Sequence, residues 1–375
     1  MIDKKRLIRL IQKLISIDSQ NPPGDEAAIA AFVKEYLAKF GLHSKVYEFK
    51  KNRANVVARL RGEGKGKSLL ITPHLDTVPC GDKWHFKPLA GTIQSGRLYG
   101  LGSTDCKVNL ACSMEALNSL AEEKCTLGYE LVFAATADEE SGSRWGLAPL
   151  LDKKILDPDE AVVLDADDFE IIITQKGLMH LKVKIEGKRA HGAYPWLGEN
   201  AINIAVDILE KLKERRIRFS KNRFLRPPTM NIGTIRGGDK VNVVADWCEF
   251  ELDFRFLPGE SDKELLGGLK RIIKEHTSKF SIEIEGIQQP YEIGQDHPLI
   301  RYYACALKKH GLPVAIHGSE GATTISFFQE KNIPAIATGF GVEGCAHMSD
   351  EYVSIENLCK GALVLESFLK NYKFS

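Results

Sequence analysis

A chain of 375 residues exceeds what one core ordinarily serves, since domains run about 50 to 250 residues, so two domains are expected. Hydrophobic residues at 43% and charged residues at 27% are globular values, and 51 Lys and Arg against 50 Asp and Glu leave a net charge of +1. That balance offers no basic footprint for nucleic acid or an anionic membrane surface, and no apolar run approaches the roughly 18 residues of a membrane span.

The first segment, MIDKKRLIRLIQKLISID, places Leu7, Leu10, Ile11, Leu14 and Ile15 at helical spacing among Lys and Arg. This predicts an amphipathic helix and not a signal peptide. Eight Cys lie outside any CxxC or framework spacing, so free thiols in a reducing compartment are expected, with the cytoplasm as location. Next, SQNPPGDEAAIAAFVKEYLAKFG reads as a Pro-Pro-Gly turn and a helix closed by Gly41. Short β-branched runs come after it: ANVVARL, KSLLITPHLD, YELVFAATADEE, AVVLDAD and, far downstream, IPAIATGFG, with helical stretches such as VNLACSMEALNSLAEE between. Buried runs alternating with helices predict an α/β domain whose mixed, mostly parallel sheet is covered by helices. Within this series RGEGKGK, residues 61–67, reads as a hairpin turn. It is no phosphate loop, because GEGKGKS is one residue short of GxxxxGK[ST] and precedes a strand where phosphate binding needs a helix N-terminus.

Over residues 177–287 the pattern changes. GLMHLKVKIEG alternates, NAINIAVDILEKLKE is helical, TMNIGTIRGG and WCEFELDFRF read as strands, DKELLGGLKRIIKEH is helical and FSIEIEGI alternates again. The order β-α-β-β-α-β is the ferredoxin-like, split βαβ arrangement. An α+β domain is therefore expected as an insertion into a larger domain made of residues 1–176 and 288–375.

Ligands of open α/β sheets bind beyond the carboxyl ends of the strands, and here those ends carry metal-ligand residue types. The run LLIT leads to His74 and Asp76, LVFAATA to Asp138, Glu139 and Glu140, and AVVL to Asp165 and Asp167. YGLGSTDCK adds Asp105 and GFGVEGCAHMSDE adds His347. Acids and imidazoles converging in this way need compensating positive charge, which divalent metal supplies. Five ligands suit two Zn²⁺ if Asp105 bridges, His74 and Asp165 completing one ion and Glu140 and His347 the other. The same carboxylate and imidazole donors accept Co²⁺ or Mn²⁺. Adjacent residues at an extended strand end point to opposite sides, so Glu140 can hold metal while Glu139 serves as general base. His74 and Asp76, two apart, share a side, so Asp76 can accept the second imidazole N–H and fix the tautomer. Cys106 reads as a small buried residue, not a nucleophile.

The chain resembles the zinc-dependent family of aminoacylase, acetylornithine deacetylase, succinyl-diaminopimelate desuccinylase and carboxypeptidase G over nearly its whole length. The resemblance lies in PHLDTVP, YGLGSTDCK, ADEESGSRWG, LDAD upstream of TQKG, AHGAYPWLGENAI, GTIRGGDKVNVVAD with DFRFLP, and CAHMSDE, in that order. It implies the same metal ligands, His74, Asp105, Glu140, Asp165 and His347, with Glu139 as base and Asp76 behind His74. It further implies that His191 of the inserted lid and dimerisation domain polarises the substrate carbonyl from the partner subunit of a homodimer. Asn242 and Arg255 match positions that contact substrate, although Arg255 shares a strand face with Asp253 and an ion pair between them competes. A cis peptide after the bridging Asp, here Asp105–Cys106, is part of the same resemblance.

Two departures stand out. LDADDFE replaces a Gly-Glu-Pro-Thr type segment, leaving Asp167 as competitor to Asp165, and HGSEGATT puts Thr323 where many relatives carry an Arg that anchors a substrate carboxylate. The expected function is hydrolysis of an amide bond in a small N-acyl amino acid or short peptide, as a deacylase or carboxypeptidase-like enzyme. The alternatives are an aminopeptidase on di- or tripeptides and a non-enzymatic metal-binding scaffold, for which Glu139 would be superfluous.

Overall fold

The computed structural model describes residues 1–63, 66–214 and 219–374. The chain divides into two compact units, the first made of Met1–Ile173, Ile293–His317 and Thr323–Ser375, the second of Thr174–Glu292 and Gly318–Ala322.

The first helix, Lys4–Ile15, buries Leu7, Leu10, Ile11, Leu14 and Ile15. Asp3 starts it by accepting from the N–H groups of Lys5 and Arg6 at 2.9 and 3.0 Å, which satisfies donors that a first turn leaves unpaired. The second helix, Ala27–Ala38, ends ahead of Gly41, whose φ of +75° is costly for a residue with a Cβ. The helix Lys107–Glu122 is buried on nearly all sides, packed against Lys4–Ile15 and the last helix, Ile355–Asn371. Of its inward polar groups, Ser113 Oγ donates to the Asn109 carbonyl at 2.7 Å and Glu115 pairs with Arg6 at 2.8 Å, whereas the Asn118 amide is buried without a hydrogen-bond partner.

Across the sheet of this unit the strands run in the order Ser44–Lys50, Arg53–Leu60, Glu130–Ala135, Ser68–Thr72, Glu160–Leu164, Ala335–Thr338 and Ile171–Gln175. The four from Glu130–Ala135 to Ala335–Thr338 are mutually parallel, and the pairs on either flank are antiparallel. All five residues of Ser68–Thr72 and of Glu160–Leu164 are buried, as continuous apolar runs in a covered parallel sheet should be. Parallel strands send their carboxyl ends to one edge, so the segments after Thr72, Ala135, Leu164 and Thr338 gather there. The hairpin reading of RGEGKGK is corrected. Residues 64–65 lie outside the described residues, but the flanking strands Arg53–Leu60 and Ser68–Thr72 do not pair, because Glu130–Ala135 runs between them.

The second unit carries a four-stranded antiparallel sheet in the order Thr229–Gly237, Trp247–Phe256, Gly177–Glu186 and Phe280–Gln288. Alternation along Gly177–Glu186 buries Leu181, Val183 and Ile185 in a core with Phe250, Leu252 and residues of the helices Ala201–Glu214 and Asp262–His276. The connectivity is the ferredoxin-like order expected from the sequence. The segment Gly318–Ala322 returns to this unit, where Glu320 accepts from Lys176 Nζ at 2.6 Å and from the Arg226 N–H at 2.8 Å. Among the described residues no helix is long and apolar enough to cross a membrane.

Candidate active site

The segments at the sheet edge of the first unit bring His74, Asp105, Glu139, Glu140, Asp165 and His347 together. His74, buried just beyond Ser68–Thr72, is held by a bridge to Thr136, just beyond the neighbouring strand Glu130–Ala135. Its Nδ1 lies 3.0 Å from the Asp76 carbonyl oxygen, and since a carbonyl can only accept, Nδ1 carries the proton. This refines the expected role of Asp76: the nearest acceptor is its main-chain oxygen, and carboxylate Oδ1 stands 3.5 Å from Nδ1. The carboxylate has a second task. It accepts from the N–H groups of Glu139 and Glu140 at 3.1 and 3.2 Å and from Asn21 Nδ2 at 2.9 Å.

With Nδ1 protonated, the other nitrogen of His74 is free to act as a donor to a cation. Nε2 lies 2.9 Å from Asp105 Oδ1 and 3.7 Å from Asp165 Oδ1. Asp105 Oδ2 faces His347 Nε2 at 3.2 Å, and Glu140 Oε2 faces the same nitrogen at 3.3 Å. One carboxylate thus offers each oxygen to a different imidazole. Asp165 joins this group, whereas Asp167 bridges Gly341, its Oδ1 only 2.3 Å from where a Cβ on Gly341 would stand. Cys106 is buried and its thiol donates to the Leu164 carbonyl at 3.0 Å, which leaves it no nucleophilic role. The Asp105–Cys106 peptide is cis.

The separation of Glu139 from Glu140 has a different cause from the expected strand alternation. The strand ends at Ala135, Asp138 sits at φ +65°, and Glu139–Ser141 form a single 3₁₀ turn. That turn sends Glu140 toward Asp105 and His347 and Glu139 toward His74 and Asp165.

Among the described residues no Lys or Arg pairs with Asp105, Glu139, Glu140 or Asp165. Burial, then the charges of Asp165, Glu140 and Asp105, push the Glu139 carboxyl well above its usual range, against the pull of His74. Hydrogen bonds donated by the imidazole to the Asp105 and Glu140 carboxylates raise His347 to about 10. Burial opposes charge on His74, yet Cys106, Asp105, Asp165 and Asp76 raise it well above its ordinary value. Imidazoles and carboxylates that hold each other's protons this strongly form a cavity for positive charge. Glu140 Oε1 is buried without a hydrogen-bond partner, which is a further sign that the donor set is built to receive a cation. Nitrogen and oxygen donors in this number fit divalent zinc and its neighbours.

Several supporting residues escaped sequence reasoning. Arg53 Nη2 bridges Glu26 at 2.8 Å and Asp138 at 2.7 Å, all three being buried. Asp138 also accepts the Trp145 N–H at 2.9 Å, so this triad fixes the segment that presents Glu139 and Glu140. Glu351 accepts three N–H groups from the turn carrying Asp105. The arginine that opens RANVVARL and the acid at the end of CAHMSDE were the available signals, and neither distinguishes a buried charge from a solvated one.

In the second unit, His191 and Asn242 lie on adjacent loops. His191 bridges Val243, the Gly192 N–H donates to the Asn242 carbonyl at 2.8 Å, and both residues are exposed. Arg255 is tied to Asp253, with Nε 2.9 Å and Nη2 3.2 Å from its two carboxylate oxygens, which is the competing ion pair.

Residues 70–371 match the family described as peptidase family M20/M25/M40. The acetylornithine deacetylase of Vibrio atlanticus is 32% identical over 372 residues, covering 96% of this chain and 96% of the relative. That of Vibrio cholerae is 30% identical over 375 residues, covering 96% and 95%. Among solved structures, a tripeptidase of Staphylococcus aureus superposes with a TM-score of 0.81 at 25% identity, over 99% of this chain and 98% of its own.

Proposed function

The chain belongs to the peptidase family M20/M25/M40 and is a hydrolase acting on amide bonds, and on that premise we propose that it is a two-metal deacylase of small N-acyl amino acids, or a carboxypeptidase-like enzyme on short peptides. The observation that carries the reading is Asp105, whose two carboxylate oxygens face His74 at 2.9 Å and His347 at 3.2 Å.

His74, Asp105 and Asp165 would hold one ion, and Asp105, Glu140 and His347 the second, with Zn²⁺ in first place and Co²⁺ or Mn²⁺ accepted by the same donors. Bound there, the metal pair supplies Lewis acidity toward the amide carbonyl and the attacking water. Glu139 accepts a proton as the water oxygen bonds to the carbonyl carbon, then delivers it to the nitrogen as the C–N bond breaks. Asp76 keeps Glu139 and Glu140 in place through their N–H groups and keeps the proton of His74 on Nδ1. The family resemblance adds His191, acting on the carbonyl from the partner subunit of a homodimer, and Asn242 and Arg255 as substrate contacts. An inactive Glu139→Ala chain mixed with His191→Ala chains should regain activity if the histidine acts across subunits. A cytoplasmic location completes the reading.

A panel of N-acetyl and N-succinyl amino acids beside unblocked di- and tripeptides, assayed with added Zn²⁺ or Co²⁺, tests it. Turnover of N-acyl amino acids supports the deacylase. Turnover confined to unblocked peptides would favour a peptidase, the reading that likeness to a tripeptidase supports. Turnover of none, with metal bound, would leave a metal-binding scaffold.

A further inference from the structure

Glu351 makes no polar contact with the side chain of any residue grouped at the candidate site, yet it ties two of the segments that build it. Its side chain is buried, with 2% of its surface exposed. Oε1 accepts from the N–H groups of Thr104 at 2.6 Å and Asp105 at 2.9 Å, and Oε2 accepts from that of Gly102 at 2.9 Å. Three amide dipoles of one turn therefore converge on one carboxylate, a strong and directional arrangement. The turn begins with Gly102 at φ +78° and ends in Asp105, and Glu351 lies four residues beyond His347 on the segment that supplies that imidazole.

We propose that Glu351 is a positioning residue that aims Asp105 between the two metal positions by locking the Gly102–Asp105 main chain to the segment of His347. The inference rests on the two-metal reading above. The direction of the Asp105 Cα–Cβ bond depends on the peptide plane on its amino side together with φ, and Glu351 fixes that plane through the Asp105 N–H. Without this lock one Asp105 oxygen can still meet one imidazole, but the geometry that offers each oxygen to a different imidazole is lost. The fold has other ties here and should survive the change. Tyr352–Ser354 pairs with Arg97–Tyr99, and Thr104 Oγ1 donates to the Tyr352 carbonyl at 2.7 Å.

The test compares Glu351→Gln, an isostere with one acceptor oxygen, with Glu351→Asp, which keeps the charge but is too short to reach all three amides. Zn²⁺ affinity and stoichiometry are read by competition with a chromogenic chelator, and melting is followed with and without Zn²⁺. Both variants should bind Zn²⁺ about 10–100-fold more weakly than the parent, and both should lose most of the melting increment that Zn²⁺ gives the parent. Weakening in Glu351→Gln alone would assign the effect to lost charge and overturn the positioning role. Parent-like affinity in both, with a lower melting point of the metal-free protein, would assign Glu351 to structure only and likewise overturn it. Should neither variant fold, hydrogen exchange on the parent decides: protected Gly102, Thr104 and Asp105 amides in metal-free protein support the lock, and rapid exchange removes it. A parent that binds no Zn²⁺ at all would instead refute the two-metal reading.

Discussion

Replacing Asp76 by Asn removes a charge and one acceptor while preserving shape, and the structure indicates where the loss falls. Oδ2 serves two donors, Asn21 Nδ2 at 2.9 Å and the Glu140 N–H at 3.2 Å, whereas Oδ1 serves the Glu139 N–H at 3.1 Å and stands 3.5 Å from His74 Nδ1. The Asn oxygen should therefore occupy the Oδ2 position, and its NH₂ should then face the Glu139 amide. That buried amide loses a charge-assisted bond worth about 1.5–3 kcal/mol, and the two retained bonds weaken as their acceptor becomes neutral. A loss of about 2–4 kcal/mol in unfolding free energy follows, read from urea titration of the metal-free protein. Because the orphaned donor belongs to Glu139, this proposed general base should shift more than Glu140. At saturating Zn²⁺ the kcat should fall about 10–100-fold, with metal affinity changed by less than that factor. A kcat within threefold of the parent would refute the assignment of Asp76 as the support of Glu139. Loss of metal with kcat preserved once Zn²⁺ is restored would show that it supports Glu140 instead.

Glu139→Gln should retain metal and lose turnover by on the order of 10² or more, measured on the best substrate of the panel, whereas loss of metal would reverse the roles of the two glutamates. Arg53→Met leaves Glu26 and Asp138 buried without their cation and should cost about 3–5 kcal/mol in urea unfolding, and a cost near zero would show that the triad is not sustained by ion pairing. Burial, then the Asp76 charge, raise Glu26 from 4.5 to about 7 against the pull of Arg53. A carboxyl held above its unfolded value stabilises the native state while protonated, so this contribution is full below pH 4.5 and fades as pH rises through 7. Between about pH 5 and pH 8 the parent should thus lose about 2–3 kcal/mol relative to Glu26→Gln, which cannot ionise, and a difference independent of pH would remove the raised carboxyl.

Local pattern was enough for the elements and for the types of residue at the site. Apolar spacing specified the helices Lys4–Ile15 and Asp262–His276, alternation specified the strand Gly177–Glu186, and buried runs specified the parallel strands whose ends carry His74, Glu139, Glu140 and Asp165. These signals are legible because solvent exposure follows the period of the backbone, and a period is a property of neighbours in sequence. The partners across space were not legible. Strand order places Glu130–Ala135 between two strands whose sequence reads as a hairpin, and a 3₁₀ turn, not strand alternation, separates the glutamates. Arg53 and Glu26 lie 27 residues apart, and Glu351 lies 246 residues from Asp105. Whether such charges are solvated or buried depends on which donors tertiary packing brings within 3 Å, and no window of sequence contains both partners. The residue types of the candidate site were therefore written in the chain, and their aim was set by the fold.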